Sequence, residues 1–157
     1  MNILAIDTST DWCGVSFFEN SRCKSKIEEH APKKHSEILP KFFEKIVEDV
    51  GFVKKDLDAV AVSIGPGSFT GLRIGLGFSK GLAYALNKPI VPVPTLEVIA
   101  NNPVVSFNGF LVLLFSHRNI VYVQKFLNKK PQSDAVASIF DEVDLKNNIV
   151  QYGCEKL

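Results

Sequence analysis

The first segment with residue types suited to chemistry is Asp7-Thr8-Ser9-Thr10. It places a carboxylate at the end of a short apolar run, NILAID, and follows that carboxylate with three hydroxyls. Hydroxyls and turn amides can donate hydrogen bonds to phosphate oxygens, and an aspartate in this position can reach a Mg²⁺ ion. The same four residues can instead form the capped turn of a hairpin. The segment therefore predicts either a nucleotide-phosphate site or a structural turn.

A second candidate is the glycine-rich stretch SIGPGSFTGLRIG, residues 63–75, which opens a helix. It lacks the Gly-Lys-Ser/Thr of a Walker loop. Thr70 also stands where a dinucleotide fingerprint has its third glycine, and no acidic residue ends a second strand about twenty residues later. The amides at the helix start could still attract an anion. The pattern favours a helix built for close packing over a phosphate loop.

Glycines continue from this stretch into the body of the helix. Small residues recur at steps of four, on one side of the helix, at Gly67, Gly71, Gly75, Ser79 and Ala83. Gly77 and Gly81 form a second pair at the same step. Because each interior glycine costs about 1 kcal/mol relative to alanine, we expect another backbone to pack closely here. That backbone belongs either to the first helix of this chain or to a helix of a partner.

The apolar spacing predicts the elements that position these segments. The first lobe is predicted to hold strands at 2–7, 12–19 and 22–29, a helix at 35–50, a strand at 58–64, a helix at 68–86, a strand at 89–94 and a helical turn at 95–101. The second is predicted to hold strands at 109–115 and 120–127, a short helix near 134–142 and a strand at 148–152. Ser36 is the predicted N-cap of the first helix, and Gly51 its C-terminal stop.

This order of elements predicts an α/β fold of the ribonuclease-H-like type. The sheet is mixed, with an antiparallel hairpin edge and helices packed on it. The predicted lobes are residues 1–103 and 104–157, and the second is much reduced.

Both long helices carry more apolar surface than one core face requires. Adjacent apolar pairs in the first helix and the glycine ridge of the second favour an interface with another protein. The residues predicted to contact a partner are Leu39, Phe42, Phe43, Ile46, Gly71, Leu72, Gly75 and Leu76.

Composition argues against several other functions. Lys and Arg number 18 against 17 Asp and Glu, so no strong positive field draws the chain to nucleic acid or membrane. No apolar run is long enough to span a bilayer. The three cysteines have no metal-like spacing, which favours reduced thiols in a cytoplasmic protein. The three histidines suggest no metal site, and no catalytic triad can be assembled. We therefore predict no catalytic residue, no metal and no cofactor.

Four segments together resemble the bacterial TsaB (YeaZ) family. They are ILAIDTST (3–10), HSEILP (35–40), GPGSFTGLRIG (65–75) and PTLEVIA (94–100), in the family's order and spacing. The resemblance covers residues 1 to about 127 and implies the actin-like ATPase, ribonuclease-H-type fold. It also implies a role in making threonylcarbamoyladenosine, the modified nucleoside next to the anticodon of tRNA.

The resemblance further implies partners. Members are non-catalytic scaffolds that bind and stabilise the TsaD transferase through a bundle of the first two helices of each protein. A TsaE-type ATPase joins that complex, and the same helices can form a homodimer. Contact with tRNA is left open. The catalytic relative carries a His-x-x-x-His metal pair where this chain has Val93 and Glu97. The resemblance therefore implies a protein without transferase activity.

Two features depart from the family pattern. Ser116-His117-Arg118 stands where members usually have Asp-Ala-Arg, and the second lobe is shorter than in relatives. A short second lobe would enclose a nucleotide cleft only in part. The alternative function is an actin-like ATP-binding enzyme, an ATPase or small-molecule kinase, that uses Asp7 for Mg²⁺.

Overall fold

A computed structural model describes residues 1–144 and 146–152, and the chain divides into two compact units. The first consists of Met1–Ile64 and Ser68–Val93. The second consists of Gly65–Gly67 and the chain from Pro94 onward. The division thus falls at Val93, before the boundary at residue 103 that the sequence suggests. The helical turn after this point belongs to the second unit.

The first unit contains one five-stranded sheet and two long helices. Its strands are β1 (Asn2–Asp7), β2 (Trp12–Glu19), β3 (Arg22–His30), β4 (Ala59–Gly65) and β5 (Ile90–Pro94); its helices are α1 (His35–Val50) and α2 (Phe69–Leu86). The strand order is β3-β2-β1-β4-β5. β1 pairs antiparallel with β2 and parallel with β4. This is the predicted ribonuclease-H-like arrangement, so the fold class is confirmed.

The buried side chains of the strands and of α1 form one core. They recur at every second residue of β2 and at steps of three and four residues in α1. In β2 every second side chain is buried, at Cys13, Val15 and Phe17, as the two-residue period of a strand requires. Phe17 stacks on Phe52 with ring centroids 4.3 Å apart. From α1, the side chains buried in this core are Leu39, Phe43 and Ile46.

The ends of α1 test the capping predictions. Gly51 ends the helix with φ 68°, and its N–H donates to Val47 O at 2.9 Å, which confirms the predicted stop. The prediction that Ser36 is the N-cap is wrong. The helix begins at His35, as its predicted bounds have it, and Lys34 occupies the N-cap position. The buried His35 side chain is tied to β2, since its Nε2 lies 3.2 Å from Trp12 O. Lys34, which precedes the helix, forms no side-chain cap.

The two glycine pairs of α2 have different surroundings. Gly71 and Gly75 are buried, and a Cβ added to either would overlap an oxygen atom of Thr8. The predicted close approach is therefore present, but the approaching element is the turn after β1 and not a helix. Gly77 and Gly81 are exposed. Apart from the neighbouring backbone of α2 itself, no described atom lies within 4 Å of a Cβ added at either position.

The second unit contains the remaining elements. They are α3 (Thr95–Ala100), β6 (Gly109–Phe115), β7 (Ile120–Leu127), β8 (Lys130–Pro131), β9 (Val136–Ile139) and β10 (Ile149–Tyr152). Its sheet has the order β10-β6-β7-β8, and β9 also pairs with β7. Leu96 from α3 is buried in the core of this unit, where Phe110 and Phe126 stack at 5.7 Å.

One predicted element of this unit is wrong. The segment 134–142, predicted as a short helix, contains the strand β9 followed by a 3-10 turn at Phe140–Glu142. The strand forms because Val136 to Ile139 pair antiparallel with β7, a contact distant in sequence that overrides local preference. The strand predicted at 148–152 is confirmed as β10. None of the helices in the described residues has the length and apolarity needed to cross a bilayer.

Substitution of the two kinds of glycine should have opposite effects on stability. Gly71→Ala places a methyl group on a backbone oxygen, so the free energy of unfolding should fall by about 1–3 kcal/mol. Gly77→Ala gains helix propensity at an open position, so its free energy of unfolding should rise by about 1 kcal/mol. Urea unfolding of both variants measures the difference. Equal effects of the two substitutions would contradict the assigned packing of α2.

Ser79 should be replaceable by alanine without loss of stability. Its Oγ is fully buried in α2 and has no hydrogen-bond partner among the described residues. Removing an unsatisfied buried hydroxyl and gaining the helix propensity of alanine should raise the free energy of unfolding by about 1 kcal/mol. Thermal and urea unfolding of Ser79→Ala measure this, and a loss of similar size would show that the hydroxyl has a partner.

Candidate functional site

The hydroxyl-rich turn after β1 is engaged within its own unit. Asp7 Oδ1 accepts hydrogen bonds from the Ser9 N–H at 2.9 Å and the Ser9 Oγ–H at 2.7 Å. Thr8 Oγ1 donates to Gly71 O in α2 at 2.8 Å, and Thr8 and Ser9 are each 1% exposed. Thr10 Oγ1 accepts from the Trp12 N–H at 3.2 Å. These bonds fix the turn after β1, and the Thr8 bond ties it to α2.

The start of α2 is fixed to the same turn. The Ser68 N–H donates to Ser9 O at 2.7 Å, and Ser68 Oγ caps the helix by accepting from the Gly71 N–H at 3.2 Å. The hydroxyls of Thr8 and Ser9 and the N–H groups of Ser9, Ser68 and Gly71 are therefore bonded to protein atoms. The nucleotide-phosphate site at Asp7, Thr8, Ser9 and Thr10 stays a prediction.

Cys13 lies near this turn and is fully buried. Burial, followed by the negative charges of Asp7 and Glu29, raises the pKa of its thiol from 9.0 to about 11. The thiol is therefore protonated at neutral pH, and it lacks the thiolate character that a nucleophile or metal ligand requires.

An open groove runs between α1 and α2, and we call it the α1–α2 groove. It encloses about 370 Å³ and is lined by Pro40, Phe43, Glu44, Lys54, Gly77, Phe78, Gly81 and Leu82. Phe43 and Phe78 meet edge to face with centroids 5.7 Å apart, and Lys54 Nζ lies 5.3 Å from the centre of the Phe43 ring. The groove thus has an aromatic wall and a glycine floor on α2.

The residues predicted to contact a partner separate into two sets. Leu39, Ile46, Gly71 and Gly75 are enclosed by this chain and belong to its core. Phe42, Leu72 and Leu76 are half-buried, and Phe43 borders the groove.

Sequence reasoning missed most of the groove lining. Gly77 and Gly81 form the second glycine pair at a step of four, and the predicted contact residues do not include them. Phe78 and Leu82 follow those glycines directly and carry the apolar part of the surface. The sequence feature that indicates these four lining residues is the second glycine pair, which lies on the face of α2 that points away from the core.

Potential metal ligands are dispersed. In residues 1–144 and 146–152, no three His, Cys, Asp or Glu side chains are close enough to hold a metal ion. Ser116 Oγ and His117 Nδ1 are 3.0 Å apart in the exposed turn between β6 and β7. In that turn Asn119 Nδ2 donates to Asp141 Oδ2 at 2.6 Å.

Comparisons with known proteins place this geometry in a family. A family model described as TsaD: tRNA N6-adenosine threonylcarbamoyltransferase matches residues 26–149. The chain is 30% identical over 136 residues to the tRNA threonylcarbamoyladenosine biosynthesis protein TsaB of Haemophilus influenzae, covering 85% of this chain and 57% of that relative. It spans about half the length of the curated TsaB relatives it matches.

Solved structures agree with this assignment. YeaZ from Pseudomonas aeruginosa superposes with a TM-score of 0.83 at 25% identity, covering 92% of this chain and 71% of that one. A ROK hexokinase from Thermus thermophilus has a TM-score of 0.51 at 17% identity, covering 84% of this chain and 48% of that one, which shows the shared actin-like fold alone. The family model, the sequence match and the fold agree, and the chain belongs to the TsaB (YeaZ) family, which is related to the TsaD transferases.

Proposed function

We propose that this chain acts in the threonylcarbamoylation of the adenosine next to the anticodon in tRNA. Its role is that of a non-catalytic partner that binds and stabilises a TsaD-type transferase through the α1–α2 groove. The name of the Haemophilus influenzae relative supports the pathway. The open groove with its exposed glycine floor supports the role of a binding partner.

The exposed glycine pair carries the proposal. Gly77 and Gly81 together cost α2 about 2 kcal/mol relative to alanine. Unlike Gly71 and Gly75, they have no close contact with another described element that would compensate for this cost. A partner backbone that packs directly on α2 does compensate for it, because side chains would hold the two helices apart.

The exposed row of α2 extends the same surface. Phe69, Arg73, Gly77 and Gly81 follow one another at steps of four on one face. Phe69 is 67% exposed, and the Arg73 guanidinium lies 3.9 Å from the centre of its ring. Arginine and aromatic residues are the types that contribute most to binding at protein interfaces. The proposed surface therefore combines a glycine floor with an aromatic and cationic rim.

Two further partners belong to the same proposal through the family resemblance. A TsaE-type ATPase joins the complex, and a second copy of this chain can occupy the groove when the transferase is absent. The cellular location proposed for these assemblies is the cytoplasm. The alternative ATP-binding enzyme is less well supported, because the Asp7 carboxylate and the hydroxyls of Thr8 and Ser9 are hydrogen-bonded to other groups of this chain.

Filling the groove floor should abolish association with the transferase. Gly77→Leu adds a side chain where the partner backbone is proposed to pack, and it leaves the core unchanged because that position is open. We expect co-purification of the co-expressed TsaD-type protein to fall at least tenfold, with no loss of thermal stability of this chain.

Lys45→Leu is the matched control. It adds the same side chain at an exposed position of α1 that does not line the groove, and it should co-purify like the wild type. Wild-type affinity of Gly77→Leu, or equal loss in both variants, would contradict the proposed surface.

A further inference from the structure

A second groove follows the C-terminal half of α2, and we call it the Tyr84 groove. It has a volume of about 570 Å³ and is lined by Lys80, Ala83, Tyr84, Asn87, Lys88, Pro89 and Ile90. Successive residues of a helix are about 100° apart. Lys80 and Tyr84 therefore lie on the exposed face of α2 that also carries Gly77 and Gly81, since Tyr84 follows Gly81 by three residues and Gly77 by seven. The two grooves flank this face and share no lining residue.

The charge of the Tyr84 groove is positive. Lys80 and Lys88 both line it, and neither forms an ion pair with another described residue. No carboxylate is among the lining residues. Asp58 belongs to the neighbouring part of the sheet, where the Val60 N–H donates to Pro89 O. Its carboxylate is engaged by the Met1 ammonium at 3.8 Å and by the Asn2 N–H.

Tyr84 adds an aromatic surface between the two cations. It is 90% exposed, the most exposed of the large apolar and aromatic side chains described. Lys80 precedes it by one helical turn, and Lys88 follows directly after the C-cap residue Asn87. A flat ring flanked by two unpaired lysines suits a strand whose bases stack and whose phosphates carry charge.

We propose that the Tyr84 groove binds single-stranded RNA, with an unstacked base on the Tyr84 ring and the flanking phosphates at Lys80 and Lys88. This inference rests on the proposed function, since the substrate there is the anticodon loop of a tRNA, which presents unpaired bases. Loops with accessible bases are the usual targets of aromatic side chains on RNA-binding proteins. The two grooves then have different ligands: a protein in the α1–α2 groove and RNA in the Tyr84 groove.

Fluorescence anisotropy with a labelled anticodon stem-loop RNA tests this on the isolated full chain at low salt, about 50 mM. Tyr84→Ala should weaken binding about fivefold to 150-fold, and Tyr84→Phe should bind like the wild type because its ring still stacks. Lys80→Ala/Lys88→Ala should reduce the slope of log affinity against log salt by about 1.4, since each single-strand phosphate contact contributes about 0.7.

Lys24→Ala/Lys26→Ala is the matched control, because it removes the same charge from two exposed lysines of β3 that pair with Glu19 and Glu28. It should bind RNA like the wild type. An equal loss in this control, no RNA binding by the wild-type chain, or AMP bound as tightly as the RNA would overturn the proposal.

Co-purification with the TsaD-type transferase keeps this outcome separate from the proposed function. Lys80→Ala/Lys88→Ala and Tyr84→Ala should both retain the transferase, because none of the three substituted positions lines the α1–α2 groove. If they lose the transferase and RNA binding is unchanged, the groove is a protein surface and the RNA proposal is wrong.

Discussion

The contact between Thr8 and the small-residue face of α2 determines which face of this helix is buried and which is exposed. Thr8 Oγ1 donates to Gly71 O, and the turn packs where Gly71 and Gly75 have no side chains. This arrangement is possible only with glycine at both positions, and it fixes the rotation of α2 about its own axis. With one face held against β1, the opposite face of the helix must be exposed. The two glycine pairs therefore have different roles although they share the same spacing.

Hydrophobic periodicity predicted the elements well, because the core of each unit is built from regular steps. The bounds of α1, β6 and β7 agree with the predicted ones. Periodicity could not predict which glycine face of α2 points inward, because that depends on the Thr8 turn, more than sixty residues earlier in the chain. The helix predicted at 134–142 was wrong for a similar reason, since the strand β9 found there depends on pairing with β7. Contacts between distant segments decided both cases.

The candidate site shows the same division between local and distant information. Glycine spacing and surplus apolar surface indicated α1 and α2, and the groove does lie between these helices. The individual residues were less predictable: Leu39, Phe43 and Ile46 follow one pattern and are all buried in the core, but of the three Phe43 alone also lines the groove. The Tyr84 groove had no sequence signal, because its lysines only converge when α2 ends and the chain turns into β5.

The central claim is that Gly77 and Gly81 form the floor of a binding surface for a TsaD-type transferase. A crystal structure of this chain with that partner tests it most directly. The account predicts partner backbone atoms within about 4.5 Å of both glycines, packed between α1 and α2. A complex in which both glycines remain open to solvent would contradict it.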